Sequence, residues 1–461
     1  MKVYNTLTRK LENFKSLKNK LITFYQCGPT VYWIQHIGNL RAAIWGDLIR
    51  RVFLYLGYQV NYVRNYTDVG HLTSDQDQGE DKMEKGAKRE GLTPQQLAEK
   101  YIKIFEDDVK KLNCLKPTYK PQATEYINQM QQMIKILLDK GYAYITNLAV
   151  VYDVSKFPNY NKLNRQKLDF NKKGAGHGEF SDPEKKHFAD FNLWVFKKGP
   201  HKNALQTWSS PWGEGFPGWH IECSVMAKEL LGETIDLHMG GVEHISVHHT
   251  NEIAQSEAAN NKPFVRYWLH NEHLLVNNKK MAKSEGAGLT LQQIVDKNFQ
   301  PLTLRYFYLQ AHYRSKQNFT WEALSASQEA LTNLKNFYNQ FFYQSKKLSK
   351  LSLKGKSYQK KFKQLISNDF QIPKALALAW QIIKSNLKPE EKIYLLNDFD
   401  KVFGLDLKPE TIPQSVTKLA KQRLQLRKKQ QFTQADKLRV KIEKLGYLIE
   451  DTPLGYQLKK K

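Results

Sequence analysis

The hydrophobic pattern begins with LITFYQC, residues 21 to 27, an apolar, β-branched and aromatic run that stops at a Gly-Pro turn and predicts a buried strand. Beyond the turn, Leu40, Ile44, Leu48, Val52 and Leu56 recur every four residues ahead of Gly57, as in a helix with one core-facing stripe and a glycine stop. YQVNYVRNYTDVG then predicts a second strand. Together these make a βαβ unit of a parallel sheet, in which ligands gather at strand C-termini and helix N-termini. Cys27 and His36 both fall at that end.

From Thr118 to Ser210 the pattern loosens into polar, glycine-bearing sequence, typical of an inserted module. Sheet-like signals return with GWHIECSVMAKELLG and IDLHMGG, so the α/β fold is expected to be split by that insertion. Past Phe319 the chain turns helical, with helix-period stripes in EALSASQEALTNLKNFYNQFF and PKALALAWQIIKSNL. Between them, Tyr343 to Lys363 holds eight lysines and no acid, and reads as a basic solvated segment between helices.

Charge adds a partner to this picture. Lysine and arginine number 71 against 45 acidic residues, a net charge of +26 that suits a polyanion, nucleic acid first, although lysine-rich usage also simply solvates surfaces. The stretch from Lys418 to Lys461 concentrates 13 basic residues against four acidic, which favours RNA. No apolar run reaches membrane-spanning length and the first residues lack a secretory signal's apolar core, so a cytoplasmic protein is expected. The three cysteines, Cys27, Cys114 and Cys223, are far apart without a CxxC pair, which argues against a disulfide framework.

Two stretches carry chemistry. In SVHHTNEIAQSEAA, His248 and Glu252 lie four apart, on one face of a helix, and with Cys27 and Cys223 would form a ligand set suited to zinc. The same residues also fit two core cysteines beside a surface His/Glu pair. In NNKKMAKSEGAG, Lys280 and Lys283 form either a solvated loop or a cationic arm able to close on phosphates.

HIGN at 36–39 and KMAKS at 280–284 resemble the HIGH and KMSKS signatures of class I aminoacyl-tRNA synthetases. CGPTVY, RNYTDVG, SPWG, PGWHIECSVMA, HHTNEIAQSEA, RYFYLQAHYRS and FTQADKLRVKIEKLGYLIEDTPLG are, in order, similar to cysteinyl-tRNA synthetases in particular. The resemblance implies an α/β fold: a Rossmann-like parallel-sheet catalytic core in two parts (1–117 and 211–275) split by a connective insertion (118–210). A stem-contact region with the KMAKS loop (276–319), a helical-bundle anticodon-binding domain (320–405) and a small basic C-terminal domain (406–461) would follow.

Carried over residue by residue, it implies one zinc per chain on Cys27, Cys223, His248 and Glu252, with His249 outside the shell. His36 and Asn39, with Gly28 and Gly38, would meet ATP, supplied with Mg²⁺. Lys280 and Lys283 would hold the triphosphate as it is cleaved, and Thr67, Trp219 and His238 would line the cysteine pocket. L-cysteine, ATP and tRNA-Cys are the implied partners of a monomeric enzyme. Alternatives are a ligase passing the same adenylate to a small amine, and a non-catalytic zinc and RNA-binding paralogue. Asn39, Ala282, Trp33, Phe216, Glu243, His244, Ser246, Val247 and Thr250 depart from the family's usual residues without removing an implied ligand.

Overall fold

The structure is a computed structural model that describes residues 1–69, 81–166, 182–280, 288–346, 348–408, 413–452 and 455–460. Its central sheet orders four strands as Val265–Asn271, Ile235–Gly241, Leu21–Gln26 and Gln59–Arg64, all parallel. The Leu21–Gln26 strand, at the sheet's centre, reads as a nearly continuous apolar run because both its faces are covered. Ile22, Phe24, Tyr62, Leu237 and Leu269 pack with the Ile37–Tyr55 helix, whereas Tyr25, Val63, Ile235, Val265 and Trp268 pack into a second cluster with residues of the Trp219–Leu231 and His248–Asn260 helices. The Ile37–Tyr55 helix buries Leu40, Ile44, Leu48 and Val52 as its spacing predicts, and Gly57 follows it at φ +87°.

GWHIECSVMAKELLG does not continue the sheet: Trp219–Leu231 is a helix between Gly218 and Gly232. Its residues His220 to Ala227 are all buried, which erases the 3.6-residue signature and leaves an apolar run that periodicity cannot tell from a strand.

Between the second and third strands of the sheet, in chain order, lies an antiparallel sheet of Ala143–Ile145, Ala149–Tyr152, Phe191–Phe196 and Gly215–Pro217. After Asn271 the short strand Leu274–Val276 pairs in parallel with Gln317–Phe319 and antiparallel with Lys279–Lys280. Long helices follow, Trp321–Gln344, Leu353–Ile366, Ile372–Lys384 and Pro389–Phe403. The second of these corrects the expectation of a solvated segment from Tyr343 to Lys363. Ser352 caps its first turn, accepting from Gly355 N at 3.1 Å, and Phe362 and Ile366 anchor it in the core while its lysines coat the outside.

Helices Gln414–Lys428 and Phe432–Lys444 and the hairpin Tyr447–Thr452/Gly455–Lys460 enclose a small core of Val416, Ala420, Ile442, Tyr447 and Ile449. Among the described residues no helix is long and apolar enough to cross a membrane.

Candidate active site and metal centre

The strand order reverses direction between Leu21–Gln26 and Ile235–Gly241, and the C-terminal ends of these two strands open the crevice where parallel sheets bind ligands. Cys27 sits at that crevice, its N–H donating to Met239 O at 3.1 Å. The next residue has no room for a side chain, since a Cβ on Gly28 would lie 1.7 Å from Asn65 O. Gly28 N donates to Asn65 Oδ1 at 2.8 Å, so the turn presenting Cys27 is tied to the neighbouring strand's extension. Gly218 permits a similar approach, 2.0 Å from Asn192 O for an added Cβ, and starts the helix that buries Cys223.

Cys27, Cys223, His248 and Glu252 converge with one ligand atom each, all within 4.8 Å of one another. Cys27 Sγ is 3.9 Å from Cys223 Sγ and 3.8 Å from Glu252 Oε1, and His248 Nε2 is 2.9 Å from Glu252 Oε1. Ligand bonds of about 2.0 to 2.3 Å in a tetrahedral zinc shell place donor atoms roughly 3.3 to 3.8 Å apart; the sulfur separations lie at the upper end of that spacing, while His248 and Glu252 stand closer, at ion-pair distance, and would part slightly around an ion. Two further observations fit it. His248 Nε2 is buried against the Glu252 carboxylate, turned into the cluster and away from solvent. Its other nitrogen, Nδ1, is held by His220 Nδ1 at 2.9 Å, the kind of support that orients a metal-binding imidazole.

His249, expected outside the shell, stands at its edge, with Nε2 3.4 Å from Cys27 Sγ and Nδ1 2.7 Å from His270 Nε2. His270 in turn bonds Thr6 Oγ1 at 2.8 Å. A second group of four, Cys27, His238, His249 and Glu252, is therefore equally compact and shares two members with the first. Sequence reasoning missed His270, whose place on the Val265–Asn271 strand, buried throughout except at Arg266, gives no polar alternation to mark it.

The electrostatics prepare this cluster for a cation. The hydrogen bond from Cys27, helped by His248, brings the Cys223 thiol down to about 6 against the effect of burial, while burial and Cys223 push Cys27 well up. Burial would raise Glu252, but His238 and His248 outweigh it and hold the carboxyl well below its usual range. Burial would lower His248, yet Glu252 and Cys223 raise it to about 10, whereas burial and neighbouring imidazoles keep His249 neutral. The group thus gathers a thiolate, a carboxylate and a proton that a divalent cation would replace.

The remaining expected residues surround the same crevice. His238 Nε2 meets Glu252 Oε2 at 2.8 Å, Trp219 stacks on the His248 ring at 4.2 Å, and Thr67 Oγ1 donates to Glu222 Oε2 at 2.9 Å. His36 caps the Ile37–Tyr55 helix, its Nδ1 accepting from Asn39 N at 3.2 Å, which leaves Gly38 and the exposed Asn39 in a first turn suited to anions.

Lys280 ends the strand Lys279–Lys280; Lys283 lies outside the described residues. Where the chain is described again, Leu289 O accepts from Ile37 N at 2.8 Å and Thr290 bridges to His36, so both flanks of the lysine motif are placed by the structure and one of them meets the HIGN turn directly.

Comparison with known proteins adds to this geometry. Residues 13–329, more than half of the chain, match the family model for the catalytic domain of class I (C) tRNA synthetases. A cysteine–tRNA ligase of Caldicellulosiruptor saccharolyticus is 39% identical over 481 residues, covering 100% of both chains. Cysteine–tRNA ligase 1 of Burkholderia lata is 39% identical over 465 residues, covering 99% of this chain and 96% of the relative. Among solved structures, a Mycobacterium tuberculosis methionyl-tRNA synthetase in complex with methionyl-adenylate shares the fold, with a TM-score of 0.57 at 12% identity over 84% of this chain and 90% of that one.

Proposed function

Because this chain belongs to the class I tRNA synthetases, in the family of cysteine–tRNA ligases, we propose that it activates L-cysteine with ATP and passes it to the 3′ end of tRNA-Cys. The observation that carries the reading is the cluster of a half-buried Cys27 with the buried Cys223, His248 and Glu252 at the sheet's switch point, with the HIGN turn at the end of the same sheet.

The difficulty of the reaction is selection. Cysteine and serine differ only by sulfur for oxygen, and a shape-matched apolar pocket wins about 1 to 3 kcal/mol from so small a change. A zinc ion held by the four residues would supply a soft Lewis acid that favours a thiolate over the harder, less acidic hydroxyl. The protein's part is to hold and orient the donors: Cys27 and Cys223 offer sulfur, His220 fixes the face that His248 presents, and His238 fixes Glu252. Trp219, stacked on His248, and Thr67, bonded to Glu222, close the pocket around the amino acid and exclude water.

Activation is attack of the cysteine carboxylate on the ATP α-phosphorus, which expels pyrophosphate and leaves cysteinyl-adenylate. Such a step asks for alignment and charge neutralisation more than for covalent help. The first turn at His36, Gly38 and Asn39, the Gly28 turn, Lys280 and Lys283 would take the phosphates of ATP with its Mg²⁺. A ribose hydroxyl of the tRNA's terminal adenosine then attacks the activated carbonyl and releases AMP. The helical region from Trp321 and the basic tail would hold the body of the tRNA, whose phosphates answer the +26 charge.

The test is charging of a purified tRNA-Cys transcript by the full-length protein, with cysteine and with serine. Cysteine-dependent formation of aminoacyl-tRNA is expected. No charging with cysteine, or equal charging with serine, would refute the reading.

A further inference from the structure

Two residues past Asn39, the side chain of Arg41 is fully buried. Among the described residues its guanidinium meets backbone carbonyls: Nη1 donates to Glu272 O, and Nη2 donates to Ser315 O at 2.8 Å and to His312 O at 3.3 Å. Nε is buried without a partner. A buried cation whose hydrogen bonds among the described residues go to backbone oxygens, with the Glu272 carboxylate only a nearby charge, is an expensive way to stabilise a fold, so what it joins matters.

Glu272 opens the segment running through Leu274–Val276 to Lys280, and the His312–Ser315 turn leads into Gln317–Phe319, the parallel partner of Leu274–Val276. Glu272 N also donates to Tyr313 O at 2.8 Å, so Arg41 grips the root of that strand pair from both sides. One turn earlier on the same helix, Ile37 O accepts from Tyr308 Oη at 2.7 Å. Arg41 thus ties the HIGN helix to the root of the strands that lead to Lys280, and Tyr308 ties its first turn to the Pro301–Leu309 helix that runs into the His312–Ser315 turn.

We propose that Arg41 is a positioning residue for adenylate formation, setting the distance between the HIGN turn and the Lys279–Lys280 strand so that phosphate contacts from both motifs reach one ATP. This rests on the function proposed above. Lysine cannot substitute, because a single ammonium lacks the planar fork that reaches three carbonyls on two segments.

The experiment is ATP–pyrophosphate exchange and single-turnover adenylate formation in the full-length enzyme, unsubstituted and as Arg41→Lys and Tyr308→Phe. Misplacement of reacting groups by a fraction of an ångström costs rate more than binding. The single-turnover rate of Arg41→Lys should therefore fall by about tenfold or more, while KM for cysteine and zinc content stay within about twofold. Tyr308→Phe, which removes one hydroxyl, should show a smaller loss with the same split. If Arg41→Lys does not fold, Tyr308→Phe decides alone.

A residue that only supports the fold would lower the melting temperature and the active fraction but leave the single-turnover rate intact, and that result overturns the proposal. Equal losses in rate and in cysteine affinity also overturn it. If the unsubstituted protein shows no cysteine-dependent exchange, the proposed function itself fails, and this inference with it.

Discussion

Replacing Arg305 with methionine removes the buried cation that fastens the HIGN helix to the helical region. Arg305 Nη2 lies 2.6 Å from Asp47 Oδ2, Nε donates to Phe403 O at 2.6 Å, and Nη1 donates to Leu112 O at 3.0 Å. The side chains of Arg305 and Asp47 are 0% and 3% exposed, so the change leaves a buried carboxylate and two carbonyls short of a donor. Removing one member of a buried pair costs about 3 to 5 kcal/mol. Arg51, 2.8 Å from the same carboxylate, places the loss nearer the lower figure. With a urea slope of roughly 2 to 3 kcal/mol/M, the unfolding midpoint should drop by about 1 to 2.5 M.

The pH dependence gives a second readout. Burial pushes Asp47 up, but Arg305 and Arg51 outweigh it and hold the carboxyl below its ordinary value. Its contribution in the unsubstituted protein is therefore full above the unfolded value of about 3.9 and is lost as pH falls through the folded one. Without Arg305 the first of the charges that oppose burial is gone, the folded carboxyl rises, and its ionised form is left less well compensated by Arg51 and the Leu115 N–H until acid neutralises it. The stability gap between the two proteins should be widest near pH 7 and narrow towards about pH 4. Asp47→Asn combined with Arg305→Met should recover part of the loss, because the two sites share one interaction. A cost below about 1 kcal/mol, or a gap that widens on acidification, would refute the assignment of Arg305 as the counter-charge of Asp47.

Gly28→Ala forces a Cβ to within 1.7 Å of Asn65 O, so Cys27 must shift; bound metal by elemental analysis and thermal stability should both fall, the latter by about 1 to 3 kcal/mol. Cys223→Ala should abolish stoichiometric zinc, and full metal content in a folded variant would remove it from the ligand set. Replacing the exposed Lys421, Lys428, Lys429 and Lys437 with glutamine should weaken tRNA binding and flatten its salt dependence, by up to about 0.9 for each phosphate no longer neutralised. An unchanged slope across a salt series would assign that charge to something other than tRNA.

The strand at Leu21 and the helix after it were legible because their apolar positions record which faces are covered. The Trp219–Leu231 helix was not, since burial all round removes the periodic signal, and the Leu353–Ile366 helix was masked by its lysines although Ser352, Phe362 and Ile366 mark its cap and core face. His248 and Glu252 could be paired from helical spacing alone. Cys27 and Cys223, from a strand end and a helix, are joined only by the sheet's crossover, and short of the family resemblance no local pattern connects them. Supporting contacts were the least visible. His220 and His270 reach the cluster from a helix and a strand, His238 was named for the pocket but not for its bond to Glu252, and Arg41 and Arg305 satisfy backbone carbonyls, Arg305 beside the distant Asp47, partners that no local motif records.

The central claim, that a metal on Cys27, Cys223, His248 and Glu252 reads the substrate's own thiol, is tested most directly by zinc K-edge X-ray absorption on the full-length protein, before and after cysteine and, separately, serine are added. Two sulfur neighbours are expected in the free protein, a third on addition of cysteine, and no change with serine. A sulfur count that stays at two with saturating cysteine, while pyrophosphate exchange proceeds, would contradict the account.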